Sequence, residues 1–411
     1  MSVSNQRPIC YAVNALRDIL FAALLLTCAL SRCDAFRLGP RQFYELSPEA
    51  ISSLVSSPDP VRNIDPSNPS SHLSQLLIPR PPGTENNTAV KDYLVSTLKG
   101  LNWHVEEDAF SDVTPYGTKR FTNVIATKDR SAPRRVIVAA HFDSKYFPNY
   151  PQSSFVGATD SAAPCAFMLD LAETLNPFLE QRQERLEAGE EDDEDVAETT
   201  LQLVFFDGEE AFKDWTATDS IYGARHLAQK WANTYVEPNT KRRLLPSYET
   251  ELSTIEHLIL LDLLGAPNPQ IRSSFMDTAW LFDAMASAEQ RLGASGAFAY
   301  DGAQSADKWS SFFVPRHRLV NSGGIEDDHI PFLRLGVSVL HVIANPFPSV
   351  WHTLKDDVTA LDVPTMRRWN LILRVFVSEY LGLRPKIASK SDSSDAVEEM
   401  RRVADELVRD S

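Results

Sequence analysis

The sequence predicts an α/β fold: a single globular domain on a mixed, mostly parallel β-sheet of about six strands flanked by helices. Three observations predict it. Short apolar runs rich in branched and aromatic residues, such as Leu201-Gln202-Leu203-Val204-Phe205-Phe206, read as buried strands. Stretches with helical spacing and capping residues lie between them. Apolar residues make up 43% of the chain, enough for a real core, and no internal repeat divides it.

The N-terminus is read apart from the fold. Ile19 to Leu30 is an apolar run behind Arg7 and Arg17, short for a membrane span and suited to a signal peptide within residues 1–33. A signal anchor retaining the protein in the secretory pathway is the alternative. Residues 34–75, rich in Ser, Pro and Asn, are expected to form a lead-in packed on the surface. The folded domain is expected over 76–384. Pro79 to Gly83 is a breaker cluster. Asn87 is expected to cap a helix from Thr88 to Lys99, stopped by Gly100. Trp103–Phe110 and Phe121–Thr127 read as strands, and Val136–His141 as a buried one. Asp160 or Ser161 is expected to cap an apolar helix to Leu175, with Pro164 tolerated in its first turn. Glu184 to Glu198 holds nine acids and reads as a solvated loop, because dense like charges repel. The Leu201 strand follows, then a helix capped at Asp219, then strands at His257–Leu264 and Val337–His341. Thr365–Leu381 reads as a long amphipathic helix, and residues 385–411 as a polar tail.

Charge and cysteines narrow the function classes. A net charge of -16 argues against nucleic acid as partner, since phosphate binding needs a basic surface. Cys10, Cys28 and Cys33 fall in or beside the targeting segment, so Cys165 is left without an internal disulfide. Near a helix start it reads as a small buried filler rather than a reactive thiol. Asn86-Asn87-Thr88 is a glycosylation sequon.

The chemistry gathers at strand ends, where open α/β sheets place their sites. Asp207, Glu209 and Glu210 follow Phe206. His141 and Asp143 end the strand from Val136. Asp262 lies near the end of His257–Leu264, His352 in the loop after Val337–His341, and Asp160 at a helix start. Paired carboxylates at the mouth of a buried strand are costly unless a cation meets them. Nitrogen and oxygen donors without thiolate suit zinc, and manganese or cobalt less specifically. Asp160, Glu210 and His352 are the three ligands a catalytic zinc needs, which leaves Glu209 free to move protons.

This arrangement resembles the co-catalytic zinc aminopeptidases and, much more closely, the animal glutaminyl-peptide cyclotransferases. The resemblance runs from about Leu76 to Leu383. It rests on His141-Phe142-Asp143-Ser144-Lys145-Tyr146-Phe147, Val156-Gly157-Ala158-Thr159-Asp160-Ser161-Ala162, Phe205-Phe206-Asp207-Gly208-Glu209-Glu210-Ala211-Phe212, Leu261-Asp262-Leu263-Leu264-Gly265-Ala266-Pro267, Asp327-Asp328-His329-Ile330-Pro331-Phe332 and Pro346-Phe347-Pro348-Ser349-Val350-Trp351-His352-Thr353. It implies a zinc aminopeptidase-like fold, one zinc (Zn2+) on Asp160, Glu210 and His352, and Glu209 as proton shuttle. It further implies Asp262 and Asp327 as an acidic hydrogen-bonded group beside Glu209. Trp215, Trp351 and Phe347 would be the pocket walls, with His141, Asp143 and His341 beside the metal rather than on it. The expected substrates are peptides and proteins with N-terminal glutamine, handled by a monomer with no other cofactor. Two positions depart from the family: Ala140 stands where a cysteine partners the one matching Cys165, and Glu326 where Gln is frequent. The rival is a secreted two-zinc aminopeptidase with His141 and Asp262 on a second metal. There a second acid usually follows the bridging aspartate, and here Ser161 does.

Overall fold

Side chains alternate across a strand with period two, and that alternation sorts the core into two layers. A computed structural model describes residues 43–56, 58–189, 198–236, 249–300, 309–316 and 324–385. Its six strands are β1 (His104–Thr114), β2 (Gly117–Thr127), β3 (Arg134–His141), β4 (Thr199–Phe206), β5 (Ile255–Asp262) and β6 (Val339–Ile343), in the sheet order β1-β2-β4-β3-β5-β6. β1 and β2 form an antiparallel hairpin, and β2 runs antiparallel to β4. The other pairs are parallel. Val136, Val138 and Ala140 of β3 face the larger core; Ile137 and Ala139 face the smaller one.

Among the described residues, eight helices cover the sheet: α1 (Pro48–Ser56), α2 (His72–Leu76), α3 (Glu85–Gly100), α4 (Ala163–Glu187), α5 (Tyr222–Asn233), α6 (Ala279–Ala294), α7 (His329–Arg334) and α8 (Val363–Tyr380). α5 and α7 pack on the smaller core and the others on the larger. The mixed sheet flanked by helices is the fold class the sequence predicts.

Several local expectations are corrected. The lead-in is not merely a surface segment: Ile51, Leu54, Ile64 and Leu73 are buried in the larger core. The α8 segment is not amphipathic, since every residue from Thr365 to Tyr380 is buried. Its Arg374 is satisfied by both carboxylate oxygens of Asp170, at 2.8 and 2.9 Å, and by the Leu54 and Pro58 carbonyls. Thr84, not Asn87, caps α3 by accepting the Asn87 amide; the Asn87 side chain donates to Asp207 instead, at 3.0 Å. α4 continues past Leu175 through Pro177 to Glu187, so it takes in the start of the acidic stretch. Asp219 does not cap α5. Its carboxylate gathers the amides of Phe212, Lys213 and Asp214, bracing the segment after Glu210. Cys165 is a free, buried thiol whose Sγ–H points to the His141 carbonyl, and burial pushes its pKa up to about 12, consistent with an inert filler. The targeting run, residues 190–197 and the tail from 386 lie outside the described residues. Among the described residues no helix is long and apolar enough to cross a membrane.

Candidate active site

β4, β3, β5 and β6 are parallel, so their carboxyl ends meet at one edge of the sheet, and the polar residues that follow them converge there. The chain leaves β4 through Gly208, whose positive φ of 79° and lack of a side chain are both required. A Cβ there would stand 2.6 Å from the Phe121 ring. The turn is then held by Asp143. Its buried carboxylate accepts the Gly208 and Glu209 amides at 2.9 and 3.1 Å and the Glu210 amide at 3.4 Å. Asp143 therefore builds the turn that presents both glutamates.

Asp160 is delivered differently. The expected cap does not form. Ala158–Ala162 makes a wide π-type turn with a cis Asp160–Ser161 peptide, and α4 begins only at Ala163. This turn is tied to the loop carrying His352 by Asp356. One Asp356 oxygen accepts both the amide and the hydroxyl of Thr159, at 2.8 and 2.9 Å, and its carbonyl accepts the Ala158 amide at 3.0 Å. Arg80, wholly buried, donates to the carbonyls of Leu76, Phe142, Val156 and Gly157 and so ties the end of α2 to the segments that follow β3 and lead into the Asp160 turn. Sequence pattern assigns no role to Arg80 or Asp356, because bonds to backbone atoms leave no residue pattern.

The three expected ligands meet. His352 Nε2 lies 3.1 Å from Glu210 Oε1 and 3.4 Å from Asp160 Oδ2. All three donor atoms fall within 4.8 Å of one another. The Asp160 Oδ2 atom is buried without a hydrogen-bond partner, as an atom reserved for a cation would be. Burial alone would lower the His352 pKa, but Asp160 and Glu210 outweigh it and raise it to about 9. The imidazolium thus takes the place of the positive charge the carboxylates require. An oxygen–oxygen–nitrogen set with no thiolate fits zinc. Glu210 Oε2 faces the Lys145 ammonium at 3.2 Å, and Lys145 also bonds the Ala211 carbonyl. Lys145 belongs to this site although its sequence position gave it no assignment.

His141 is buried among carboxylates. Its Nε2 lies 3.1 Å from Asp160 Oδ1 and 3.4 Å from Asp262 Oδ1, and its Nδ1 is 3.5 Å from Asp143. Burial lowers its pKa, but these three carboxylates carry it well above the ordinary value. The Ser161 hydroxyl donates to Asp262, whose oxygen also accepts the Leu263 amide at 2.8 Å. Burial, reinforced by Asp327, lifts Asp262 to about 6. Asp327 is also buried, but the His341 Nε2 contact at 2.7 Å holds it below the usual carboxylate range. Glu209 is lifted well above its ordinary value, first by burial and then by Glu210 and Asp327, with His141 opposing.

Asp160, Glu209, Glu210, Asp262 and His352 line a cavity of about 540 Å³ whose walls include Trp215, Phe347, Trp351, Leu263, Ile325 and Ile343. Trp351 stacks on the His352 ring at 3.8 Å and touches Phe347 at 5.0 Å. Trp215 donates its indole N–H to Glu326 at 3.1 Å. An open groove of about 800 Å³ lies elsewhere, beside α5, and two of its cations, Arg225 and Lys230, are paired with Asp112 and Asp108.

Comparison with known proteins places this geometry. Residues 123–377 match peptidase family M28. The chain is 44% identical over 313 residues to a Bos taurus glutaminyl-peptide cyclotransferase-like protein, covering 76% of this chain and 74% of the relative. It is 42% identical over 317 residues to a Bothrops jararaca glutaminyl-peptide cyclotransferase, covering 76% and 80%. The crystal structure of Macrostomum lignano glutaminyl cyclase superposes with a TM-score of 0.67 at 36% identity, covering 86% of this chain and 98% of that one. The chain belongs to the glutaminyl-peptide cyclotransferases of peptidase family M28.

Ala140 is buried in the larger core, and Cys165 packs beside it without a disulfide. The Glu326 carboxylate is engaged by Trp215 rather than by the acidic cluster behind it.

Proposed function

We propose that this chain converts N-terminal glutamine of peptides and proteins to pyroglutamate with release of ammonia, using one zinc on Asp160, Glu210 and His352 and Glu209 as the proton carrier. The observation that carries the reading is a single cavity joining the three-donor cluster, the free Glu209 carboxyl and the apolar walls Trp215, Phe347 and Trp351. Bound to those three residues, zinc supplies Lewis-acid polarisation of the substrate γ-amide carbonyl. Glu209 takes the proton from the attacking α-amine and delivers it to departing ammonia. Asp327, paired with His341, keeps negative charge near Glu209 and so raises its proton affinity for that return step. Asp262 anchors Ser161 and His141 beside Asp160. The apolar walls hold the glutamine side chain folded back on its own amine, and such positioning is worth up to roughly 7–11 kcal/mol in the best cases. The nucleophile is the substrate's own, so the site has no need to activate water. One chain supplies every group, and the apolar run behind Arg7 and Arg17 supports entry into the secretory pathway.

The rival two-metal aminopeptidase has one observation in its favour: His141, Asp160 and Asp262 form a second three-donor cluster. Asp262 Oδ1 is also engaged by the Ser161 hydroxyl and the Leu263 amide, whereas Asp160 Oδ2 in the first cluster has no hydrogen-bond partner, and this favours the cyclase. The deciding experiment incubates purified protein with a Gln-peptide and follows mass. Loss of one ammonia supports cyclisation; release of free glutamine, or of Leu or Ala from ordinary peptides without pyroglutamate, overturns it.

A further inference from the structure

The floor and the rim of the cavity differ in exposure. Asp160 and Glu210 lie buried at the floor, whereas Trp215 and Trp351 are 39% and 40% exposed at the rim. Glu326 stands beside Trp215, exposed, with Oε2 accepting the indole N–H. An indole N–H is a neutral donor, so this bond orients the carboxylate without cancelling its charge. Two lysines also line the cavity, and neither pairs with Glu326. Lys213 sits 3.9 Å from Asp214, and Lys145 is drawn down to Glu210 and the Ala211 carbonyl. Among the described residues no cation pairs with Glu326.

We infer that Glu326 makes the mouth of this site selective for peptides that carry a cationic side chain directly after the N-terminal glutamine, and against those that carry a carboxylate there. The inference rests on the cyclase reading of the site. A glutamine whose amide reaches Asp160, Glu210 and His352 fills only the deep part of the cavity, so the next residue lies in the mouth. A lysine or arginine there meets the Glu326 carboxylate and the exposed indole faces of Trp215 and Trp351, and indole faces attract cations in their own right. A glutamate or aspartate meets like charge in the same place.

The test compares kcat/KM for Gln-Lys, Gln-Ala and Gln-Glu peptides on the wild-type protein and on Glu326→Gln, at low and at raised salt. Glutamine keeps an oxygen for the Trp215 N–H and removes only the charge. The wild type is expected to prefer the lysyl over the glutamyl peptide by roughly two- to fivefold, the range of exposed charge pairs. Raised salt shrinks that ratio by screening, and Glu326→Gln brings it close to one. A ratio of one in the wild type, or an equal ratio in both proteins, overturns the inference. If no Gln-peptide is cyclised at all, the proposed activity falls, and the selectivity is judged on tryptophan quenching by the same peptides. Tighter lysyl binding that Glu326→Gln abolishes then upholds the selectivity, and equal binding refutes it.

Discussion

Replacing Glu209 by glutamine separates proton transfer from every other duty of the site. The residue is only 7% exposed, and its position does not depend on its own carboxyl. The amide is held by Asp143 at 3.1 Å, and the carbonyl accepts the Ile221 amide at 2.8 Å. Glu210 has its own amide on Asp143 and its carboxylate between His352 and Lys145. The substitution keeps the volume and removes the proton acceptor, so turnover is expected to fall about 10²- to 10⁴-fold, or roughly 2.7–5.5 kcal/mol of barrier. Bound zinc is expected to stay unchanged. Burial already disfavours the charged form of Glu209, so a neutral amide there should leave thermal stability equal or higher. The assay is ammonia release from a Gln-peptide, run beside elemental analysis of the same preparation. Turnover within a few-fold of wild type would transfer the proton to Asp262 or Asp327. Loss of activity together with loss of metal would refute the division of labour between Glu209 and Glu210.

Purified protein is expected to hold about one zinc per chain, and His352→Ala to lose it; two tightly held metals, with His141→Ala losing one, would support the two-metal aminopeptidase instead. Trp351→Ala should lower kcat as well as raise KM, because Trp351 both walls the cavity and stacks on His352; a pure KM effect would make it a binding surface only. Gln-peptides should cyclise, whereas Asn-peptides and N-acetylated Gln-peptides should not, since one would need a strained four-membered ring and the other lacks a nucleophilic amine; mass spectrometry reads all three. Glu173 tests the docking of the N-terminal segment. Burial raises its pKa, but His72, Asn63 and Arg62 outweigh burial and lower it from 4.5 to about 2. A lowered folded-state value means stability present above about pH 4.5 and lost as pH falls through about 2. Glu173→Gln should therefore cost about 1–2 kcal/mol at pH 7 after discounting for partial exposure, with the difference vanishing in acid. A pH-independent difference in denaturant titrations would contradict the pairing.

Strands were legible because burial on both faces leaves a continuous apolar run, and β3, β4, β5 and β6 each lie within a few residues of where that signal stands. Helix starts were less legible. Thr84, Asn87, Asp160 and Asp219 are all good capping types, yet Asp219 braces the loop after Glu210, Asn87 reaches Asp207, and Asp160 points at His352. Composition cannot tell whether a short polar side chain bonds its own turn or a distant one. The α8 segment was misread for a related reason. Its arginines suggest a solvated face, but Arg368 and Arg374 are neutralised in the interior by Glu289 and Asp170, which are remote in sequence.

By itself the sequence determined the α/β class and the strands, and it singled out the residues of the three-donor cluster, because those follow from local apolar patterning and from residue types carried in long specific segments. The tertiary structure alone decided what stands between the ligands. It turned Asp143 into the brace of the glutamate turn, tied the Asp160 and His352 loops together through Asp356, fastened the segment leading into the Asp160 turn through Arg80, and set Lys145 on Glu210. It also engaged His141 and Asp262 with each other's neighbours. These contacts join residues far apart in the chain, many of them through backbone carbonyls and amides that every residue has, so no local pattern records them.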